Sequence, residues 1–236
     1  MQIKTQKKYK NLFFDLDRTL WDFQTNSEQT LCELIDKYLA KEKIEFDVFL
    51  KIYYSINEDL WLKYRKGEIT KEYLRTMRFS KTFSKLGIRM SEEICINISD
   101  DYIKESPLKT GVFQGTYETL DYLKGKGYRL FLITNGFIEV QVKKIKQSKL
   151  EPYFERMFTS DEAGYQKPDK RIFEHALKTS NSKKSESIMI GDDLETDIAG
   201  ANSFGMDSVF FNPEGDAHTS KVTYEIAKLE NLKQFL

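Results

Sequence analysis

The sequence predicts an α/β fold built on a parallel sheet, with an all-helical segment inserted after the first strand. Residues 11–15 form a short apolar run of strand length, bounded by a polar turn. Residues 25–105 then carry apolar side chains at helical spacing throughout. From Gly111 onward, short apolar runs alternate with helical patterns. That alternation is typical of a parallel sheet covered by helices on both faces.

The helical segment contains four amphipathic patterns. We expect the first to begin at Ser27, because serine often caps a helix N-terminus. The second and third end at Gly67 and Gly87, and glycine readily adopts the left-handed conformation that ends helices. The fourth begins at Ser91, and Pro107 closes the segment. The aromatic side chains of the segment are expected in its core, among them Trp61, Tyr64 and Phe79.

The second half of the chain supplies the remaining strands of the predicted sheet. Strands are expected at residues 128–134, 156–159, 187–191 and 208–211. Helices are expected at residues 115–125, 138–149, 169–180 and 195–204. The last stretch, residues 223–236, is expected to end in a helix.

Two chain crossings join the helical segment to the sheet, near residues 21–24 and 105–110. Paired crossings of this kind allow one domain to hinge over another. We therefore expect two domains, residues 1–22 with 107–236 as the sheet domain and residues 23–106 as the helical domain.

The composition is that of an ordinary globular protein. The 236 residues are 40% hydrophobic and 31% charged, with a formal net charge of +0. This balance argues against broad electrostatic capture of a nucleic acid polymer or an anionic membrane. The basic cluster formed by Lys4, Lys7, Lys8 and Lys10 is interpreted as a solvated lead-in to the first strand. No apolar run approaches the ~20 residues that a membrane helix needs.

The cysteines and histidines give no sign of a metal or thiol site. Cys32 and Cys95 are the only cysteines, and we expect both to be buried apolar residues of a reduced, cytoplasmic protein. His175 and His218 are isolated in the sequence, and we expect them to be surface or packing residues.

Two carboxylates come together at the end of the first strand, in the run Asp15-Leu16-Asp17. Residues i and i+2 of an extended strand point to the same side. Like charges this close repel each other unless a cation lies between them or a proton is shared. The pair therefore indicates either a metal site or proton chemistry.

Three further polar clusters follow predicted strands. Thr134-Asn135-Gly136 follows the second strand, Lys167 lies in a loop after the third, and Gly191-Asp192-Asp193 follows the fourth, with Asp197 shortly after. Ligands of open parallel sheets bind outside the carboxyl ends of the strands. Four polar clusters at four such ends therefore predict one ligand site.

The stretches FFDLDRTLWD, LITNG, QKPD and IGDDLETDIAGA resemble the four sequence motifs of the haloacid dehalogenase (HAD) superfamily, in the family's order. The resemblance implies a Rossmann-like core with strand order 5-4-1-2-3, and the helical insert resembles the family's C1-type cap. That order places Asp15 and Asp192 on adjacent strands. DLDRTLWDF and LITNGF are also similar to the YjjG-type branch, which includes phosphatases of nucleoside 5′-monophosphates.

The resemblance gives the three aspartates separate roles. Asp15 is the expected nucleophile, which forms an aspartyl-phosphate intermediate. Asp15, Asp192 and the backbone carbonyl of Asp17 are the expected Mg²⁺ ligands, since Mg²⁺ prefers hard oxygen donors. The side chain of Asp17 then protonates the leaving oxygen and later deprotonates the attacking water.

The remaining motif residues are expected to hold the phosphate. The Thr134 hydroxyl and the backbone N–H groups of Asn135 and Gly136 suit phosphate oxygens, and Lys167 offsets negative charge. Asp197 is expected to orient metal-bound waters or Lys167. Asp193 stands where many relatives have Ser or Thr, and it either adds charge near the metal or caps the following helix.

The expected function is a Mg²⁺-dependent phosphatase of a small phosphomonoester, with a nucleoside 5′-monophosphate as the favoured substrate. The alternatives are a phosphomutase of the β-phosphoglucomutase type and a sugar-phosphate or phosphoglycolate phosphatase. Dehalogenases of the superfamily lack an acidic side chain two residues after the nucleophile, so Asp17 disfavours dehalogenation. The complete acidic set disfavours a non-catalytic binding module. Trp21 and Phe137 either stack on a base or, as we prefer, pack between the domains. The oligomeric state stays open.

Overall fold

The structure is a computed structural model and describes residues 9–40, 42 and 44–236. The chain divides into two compact units. The first comprises the described residues up to Phe23 together with Thr110–Leu236, and the second comprises the described residues of Gln24–Lys109. Of the N-terminal basic cluster, Lys4, Lys7 and Lys8 lie outside the described residues, and Lys10 pairs with Glu186 at 2.9 Å.

The first unit contains a parallel sheet of six strands in the order β3-β2-β1-β4-β5-β6. The strands are β1 (Asn11–Phe14), β2 (Arg129–Thr134), β3 (Arg156–Thr159), β4 (Ser187–Gly191), β5 (Asp207–Phe211) and β6 (Tyr224–Ile226). The predicted order 5-4-1-2-3 is confirmed, and β6 extends the sheet beyond β5. The predicted α/β class is confirmed as well.

The side chains of β1 point alternately to the two faces of the sheet, and both faces are covered by apolar clusters. Leu12 and Phe14 belong to one buried cluster, and Phe13 between them belongs to another. Phe13 stacks on Phe131 of β2 with 4.9 Å between ring centroids. Because β1 is buried on both faces, its side chains are apolar without interruption from Leu12 until Asp15.

Helices connect the strands of this unit. They are α5 (Thr116–Gly125), α6 (Ile138–Gln147), α7 (Ser160–Ala163), α8 (Lys170–Thr179) and α9 (Ala199–Phe204), with a π-helical turn at Leu194–Ile198 directly before α9. Residues 223–236 end in a helix as expected, but the sequence did not predict the strand β6. That stretch begins with β6, which pairs with β5, and ends in the 3₁₀ helix Leu229–Gln234.

The described residues of the second unit form four α-helices. They are α1 (Phe23–Leu39, which begins at the last residue of the first unit), α2 (Phe46–Arg65), α3 (Lys71–Lys85) and α4 (Glu92–Glu105). Their shared core is rich in aromatic rings, including Phe49, Tyr53, Phe79 and Phe83. Gly67 follows α2 with φ +72°, a conformation that favours glycine at a helix end.

Three expectations for the helical segment need correction. Ser27 lies inside α1, where its hydroxyl pairs with that of Tyr102 at 2.9 Å, so it does not cap the helix. Cys32 is exposed, because it lies on the solvent side of α1 while Leu31 and Leu34 face the core. Of the aromatic side chains assigned to the core, Phe79 is fully buried, whereas Trp61 and Tyr64 are half-buried.

Among the described residues, no helix combines the length and the apolar character that crossing a bilayer would require.

Candidate active site

The site begins where β1 and β4 end side by side. Phe14 is in register with Ile190, and the Asp15 backbone N–H donates to the Ile190 carbonyl at 2.8 Å. Asp15 therefore follows β1 beside Gly191, the last residue of β4, and Asp192 comes next. Asp15 is 7% exposed, so its carboxylate is largely shielded from water.

Lys167 supplies a buried cation to this site, and its side chain is 2% exposed. Its ammonium donates to Asp15 Oδ1 at 2.6 Å, to Asp197 Oδ1 at 2.6 Å and to the Ile133 carbonyl at 2.8 Å. An ammonium has three hydrogen atoms to donate, so these bonds use all of them. The lysine is fixed in position and binds two carboxylates at once.

Carboxylates outnumber cations here. Ligand atoms of Asp15, Asp192 and Asp197 lie within 4.8 Å of one another. Burial raises the pKa of Asp15 well above its usual range against the opposing effect of Lys167. Burial, followed by repulsion from Asp197, raises the pKa of Asp192 to about 7. Burial alone would lower the pKa of Lys167, but Asp15 and Asp197 raise it above its ordinary value.

The hard oxygen donors and uncompensated charge of this cluster fit a divalent cation. Asp15 and Asp192 have the carboxylate oxygens best suited to bind it. Both oxygens of Asp197 are engaged, Oδ1 by Lys167 and Oδ2 by the backbone N–H of Asp193 at 3.2 Å. Asp197 is thus hydrogen-bonded at both oxygens, and one of these bonds is to Lys167. The side chain of Asp17 is not part of the acidic cluster found among the described residues.

Asn135 connects the loop after β2 to Lys167. Its side-chain amide donates to the Lys167 carbonyl at 2.9 Å, and its side-chain oxygen accepts from the Lys167 backbone N–H at 2.7 Å. The neighbouring Thr134 is 1% exposed, and its hydroxyl oxygen accepts from the backbone N–H of Gly136 at 3.1 Å. The structure thus brings Asp15, Thr134, Lys167 and Asp192 to one edge of the sheet.

A family model described as haloacid dehalogenase-like hydrolase matches residues 9–205, which is most of the chain. The chain belongs to this hydrolase family. The resemblance of the four motifs to the HAD superfamily is therefore confirmed.

Relatives and a solved structure cover almost the whole chain. It is 32% identical over 228 residues to the pyrimidine 5′-nucleotidase PynA of Streptococcus pneumoniae, covering 95% of this chain and 93% of that protein. It is 28% identical over 240 residues to the pyrimidine 5′-nucleotidase YjjG of Escherichia coli, covering 97% and 98%. A magnesium-bound crystal structure of the HAD hydrolase YfnB of Bacillus subtilis matches with a TM-score of 0.86 at 28% identity, covering 97% and 98%.

The contacts and burial of the remaining predicted site residues, Asp193, Trp21 and Phe137, decide between their expected roles. Asp193 caps the π-helical turn, since its side chain accepts from the backbone N–H groups of Glu195 at 2.8 Å and Thr196 at 3.0 Å. Of the two roles expected for Asp193, capping is the one its contacts explain. Trp21 and Phe137 are both buried, at 0% and 6% exposure, which favours packing over stacking on a base.

Sequence reasoning missed two residues of the site, Gln141 and Lys144 of α6. Gln141 donates to Asp17 Oδ2 at 2.7 Å and to the Thr134 hydroxyl oxygen at 2.7 Å. Lys144 donates to Asp17 Oδ1 at 2.5 Å. One signal could have found them: residues 141, 144, 145 and 148 share one helical face, and on that face a lysine and a glutamine accompany Ile145.

Proposed function

We propose that the protein is a Mg²⁺-dependent phosphatase that hydrolyses a nucleoside 5′-monophosphate through an aspartyl-phosphate on Asp15. One observation carries the proposal. A buried carboxylate that is held by a lysine lies beside two further carboxylates, at the strand ends where parallel sheets bind ligands. That arrangement combines a fixed nucleophile with a place for a divalent cation.

The metal ligands would be Asp15, Asp192 and the backbone carbonyl of Asp17. Mg²⁺ suits a site with few carboxylates, because it keeps several waters and accepts substrate phosphate oxygens. When bound, it would neutralise charge on the phosphate and on the acidic cluster. The magnesium-bound crystal structure of the relative YfnB supports this choice of metal.

In the proposed reaction, a carboxylate oxygen of Asp15 attacks phosphorus, and the bond from phosphorus to the substrate oxygen breaks. Lys167 engages Oδ1 of Asp15, and Oδ2 accepts no hydrogen bond from the described residues, so Oδ2 is the proposed attacking atom. Asp17 gives its proton to the leaving oxygen. Water then attacks the phosphorus of the aspartyl-phosphate and gives a proton to Asp17. The bond from phosphorus to the Asp15 oxygen breaks, which releases inorganic phosphate and restores both aspartates.

Thr134 would donate to the phosphate. A hydroxyl has one hydrogen to donate and two lone pairs that accept. Both lone pairs of the Thr134 hydroxyl are used, one by the Gly136 backbone N–H and one by the Gln141 amide. Its hydrogen is therefore left for a phosphate oxygen, which supports the predicted phosphate-binding role.

The substrate assignment rests on relatives. Two of them are pyrimidine 5′-nucleotidases that align over nearly the full length of this chain. We therefore propose a pyrimidine nucleoside 5′-monophosphate as substrate, and a cytoplasmic location stays a prediction. The domain boundaries predicted from the sequence likewise stay predictions.

A panel of phosphomonoesters with Mg²⁺ tests the proposal. We expect inorganic phosphate from cytidine and uridine 5′-monophosphates, with activity lost in EDTA. Asp15→Asn should lower kcat by ~10⁴-fold or more while the circular dichroism spectrum is retained, because it removes the nucleophile. Turnover of sugar phosphates alone would contradict the nucleotidase assignment, and interconversion of a hexose phosphate without phosphate release would favour a mutase. Appreciable activity in Asp15→Asn would rule out Asp15 as the nucleophile.

A further inference from the structure

The carboxylate of Asp17 is held by two donors from one helix. Lys144 donates to its Oδ1 and Gln141 to its Oδ2, and both donors lie on α6, three positions apart. Residues three apart on a helix lie on the same face, so the two side chains reach the carboxylate from adjacent positions. A carboxylate bonded at both oxygens has a fixed orientation as well as a fixed position.

Lys144 is buried to an extent that is unusual for lysine. It is 4% exposed, and its ammonium lies 4.2 Å from the ring centroid of Trp21 and 5.7 Å from that of Phe23. Burying an ammonium costs free energy unless it is paired, and such a pair contributes little stability beyond repaying that cost. The pairing with Asp17 is therefore better explained by a use at the site than by stability.

Gln141 connects Asp17 to the proposed phosphate-binding loop. The same amide nitrogen donates to Asp17 and to the Thr134 hydroxyl, and Gln141 is 0% exposed. Gly136 makes room for it, because a Cβ at position 136 would lie 2.1 Å from Gln141 Nε2. The amide thus fixes the spacing between the two groups that would meet the substrate.

We propose that Lys144 and Gln141 are positioning residues that hold the Asp17 carboxylate where the leaving oxygen and the attacking water exchange protons. This inference rests on the proposed phosphatase function. Neither residue is proposed to touch the substrate: Lys144 acts through Asp17, and Gln141 acts through Asp17 and Thr134. Loss of Lys144 therefore lowers kcat and leaves KM almost unchanged.

The first test compares Lys144→Met with Lys143→Met. Lys143 is the exposed neighbour on the same helix, so its replacement is a matched control. With cytidine 5′-monophosphate and Mg²⁺, we expect Lys144→Met to lower kcat by ~10–100-fold. This loss is smaller than the ~10²–10⁴-fold that general acid–base catalysis contributes, because Asp17 itself is still present. KM should change by less than about 3-fold, Lys143→Met should resemble the wild type, and Lys144→Arg should recover most of the rate.

The decisive test is a double-mutant cycle with Asp17→Asn, using single-turnover rates at high enzyme concentration. If Lys144 acts through Asp17, Lys144→Met should cost less than about 2-fold in the Asp17→Asn background. An equal cost in both backgrounds would overturn the proposal, as would a Lys144→Met enzyme with wild-type kcat. If Lys144→Met fails to fold, Lys144→Gln replaces it in the same cycle, with the same two outcomes. An inactive wild-type enzyme across the phosphomonoester panel would instead refute the proposed function itself.

Discussion

Two buried lysines hold the two aspartates that follow β1, and they do so in different ways. Lys167 uses all three of its hydrogen atoms, on Asp15, on Asp197 and on a backbone carbonyl. Among the described residues, Lys144 has one carboxylate partner, Asp17, and otherwise lies against aromatic rings. The first lysine is part of a saturated polar network, and the second is part of a single pair.

The two aspartates also differ in exposure, and Asp15 is the more buried of the two. The side chain of Asp15 is 10% exposed, and that of Asp17 is 26% exposed. In the proposed mechanism, Asp15 must stay still to attack, whereas Asp17 must exchange protons with substrate and water. Under the proposed roles, the nucleophile is the more deeply buried carboxylate and the proton carrier is the one in contact with solvent. Loss of the first lysine should therefore harm the fold, and loss of the second should harm turnover.

Replacement of each lysine by methionine should separate the two roles in stability. Lys167→Met leaves two buried carboxylates without their cation, and breaking a buried pair costs about 3–5 kcal/mol. Lys144→Met leaves Asp17 partly in contact with solvent, so we expect a loss of about 1 kcal/mol or less. Urea unfolding at pH 8 in EDTA measures both free energies of unfolding. Equal losses would show that the two lysines are equivalent.

Replacing either of two glycines by alanine should disturb the same two networks without removing a charged group. Gly191 lies against Asp197, and Gly136 lies against Gln141. A Cβ at Gly191 would lie 2.2 Å from Asp197 Oδ2 and 2.7 Å from Asp197 Cβ, so the whole short side chain is in the way. A Cβ at Gly136 would meet Gln141, a longer side chain that can swing aside. We expect Gly191→Ala to cost ~2–3 kcal/mol and Gly136→Ala ~1 kcal/mol, within the range for overpacking.

Gly125→Ala is the control for both glycine variants, since a Cβ there meets nothing within 4 Å. Thermal unfolding of the three variants ranks the losses. A larger loss in Gly136→Ala than in Gly191→Ala would reverse the comparison between the networks. No loss in either would show that Asp197 and Gln141 have room to move.

The sequence predicted the polar site residues that interrupt apolar runs. Asp15, Thr134 and Asp192 stand out because each lies at the end of a buried strand or directly after it. The parallel order could be predicted for the same reason, because buried parallel strands are apolar without a break. These signals are local, so one sequence suffices to detect them.

Other features depend on packing that a local pattern does not reveal. A lysine on a helix is usually solvated, so Lys144 looked ordinary until the fold placed Asp17 and Trp21 beside it. β6 is only three residues long, which is too short for an alternation to be recognised. Cys32 was expected to be buried from its residue type alone, whereas its position on α1 faces solvent.

The smallest expected effect concerns Asp192, the carboxylate of the acidic cluster that neither lysine binds. Asp192 accepts from the Thr19 hydroxyl at 3.0 Å, and its pKa is raised from 3.8 to about 7. Between these values the folded protein binds a proton that the unfolded chain lacks. The contribution of Asp192 to stability therefore falls as pH rises from about 4 to 7, and the full cost remains above pH 7. In EDTA at pH 8, Asp192→Asn should raise the free energy of unfolding by ~1 kcal/mol, or the Tm by about 2–4 °C. At pH 5 the gain should be much smaller.

Added Mg²⁺ should make the wild type more stable than Asp192→Asn, because the metal stabilises the wild type by binding Asp192 and has lost a ligand in the variant. A differential scanning fluorimetry titration with MgCl₂ measures all of these shifts. The same Mg²⁺-dependent rise in Tm for both proteins would exclude Asp192 as a ligand.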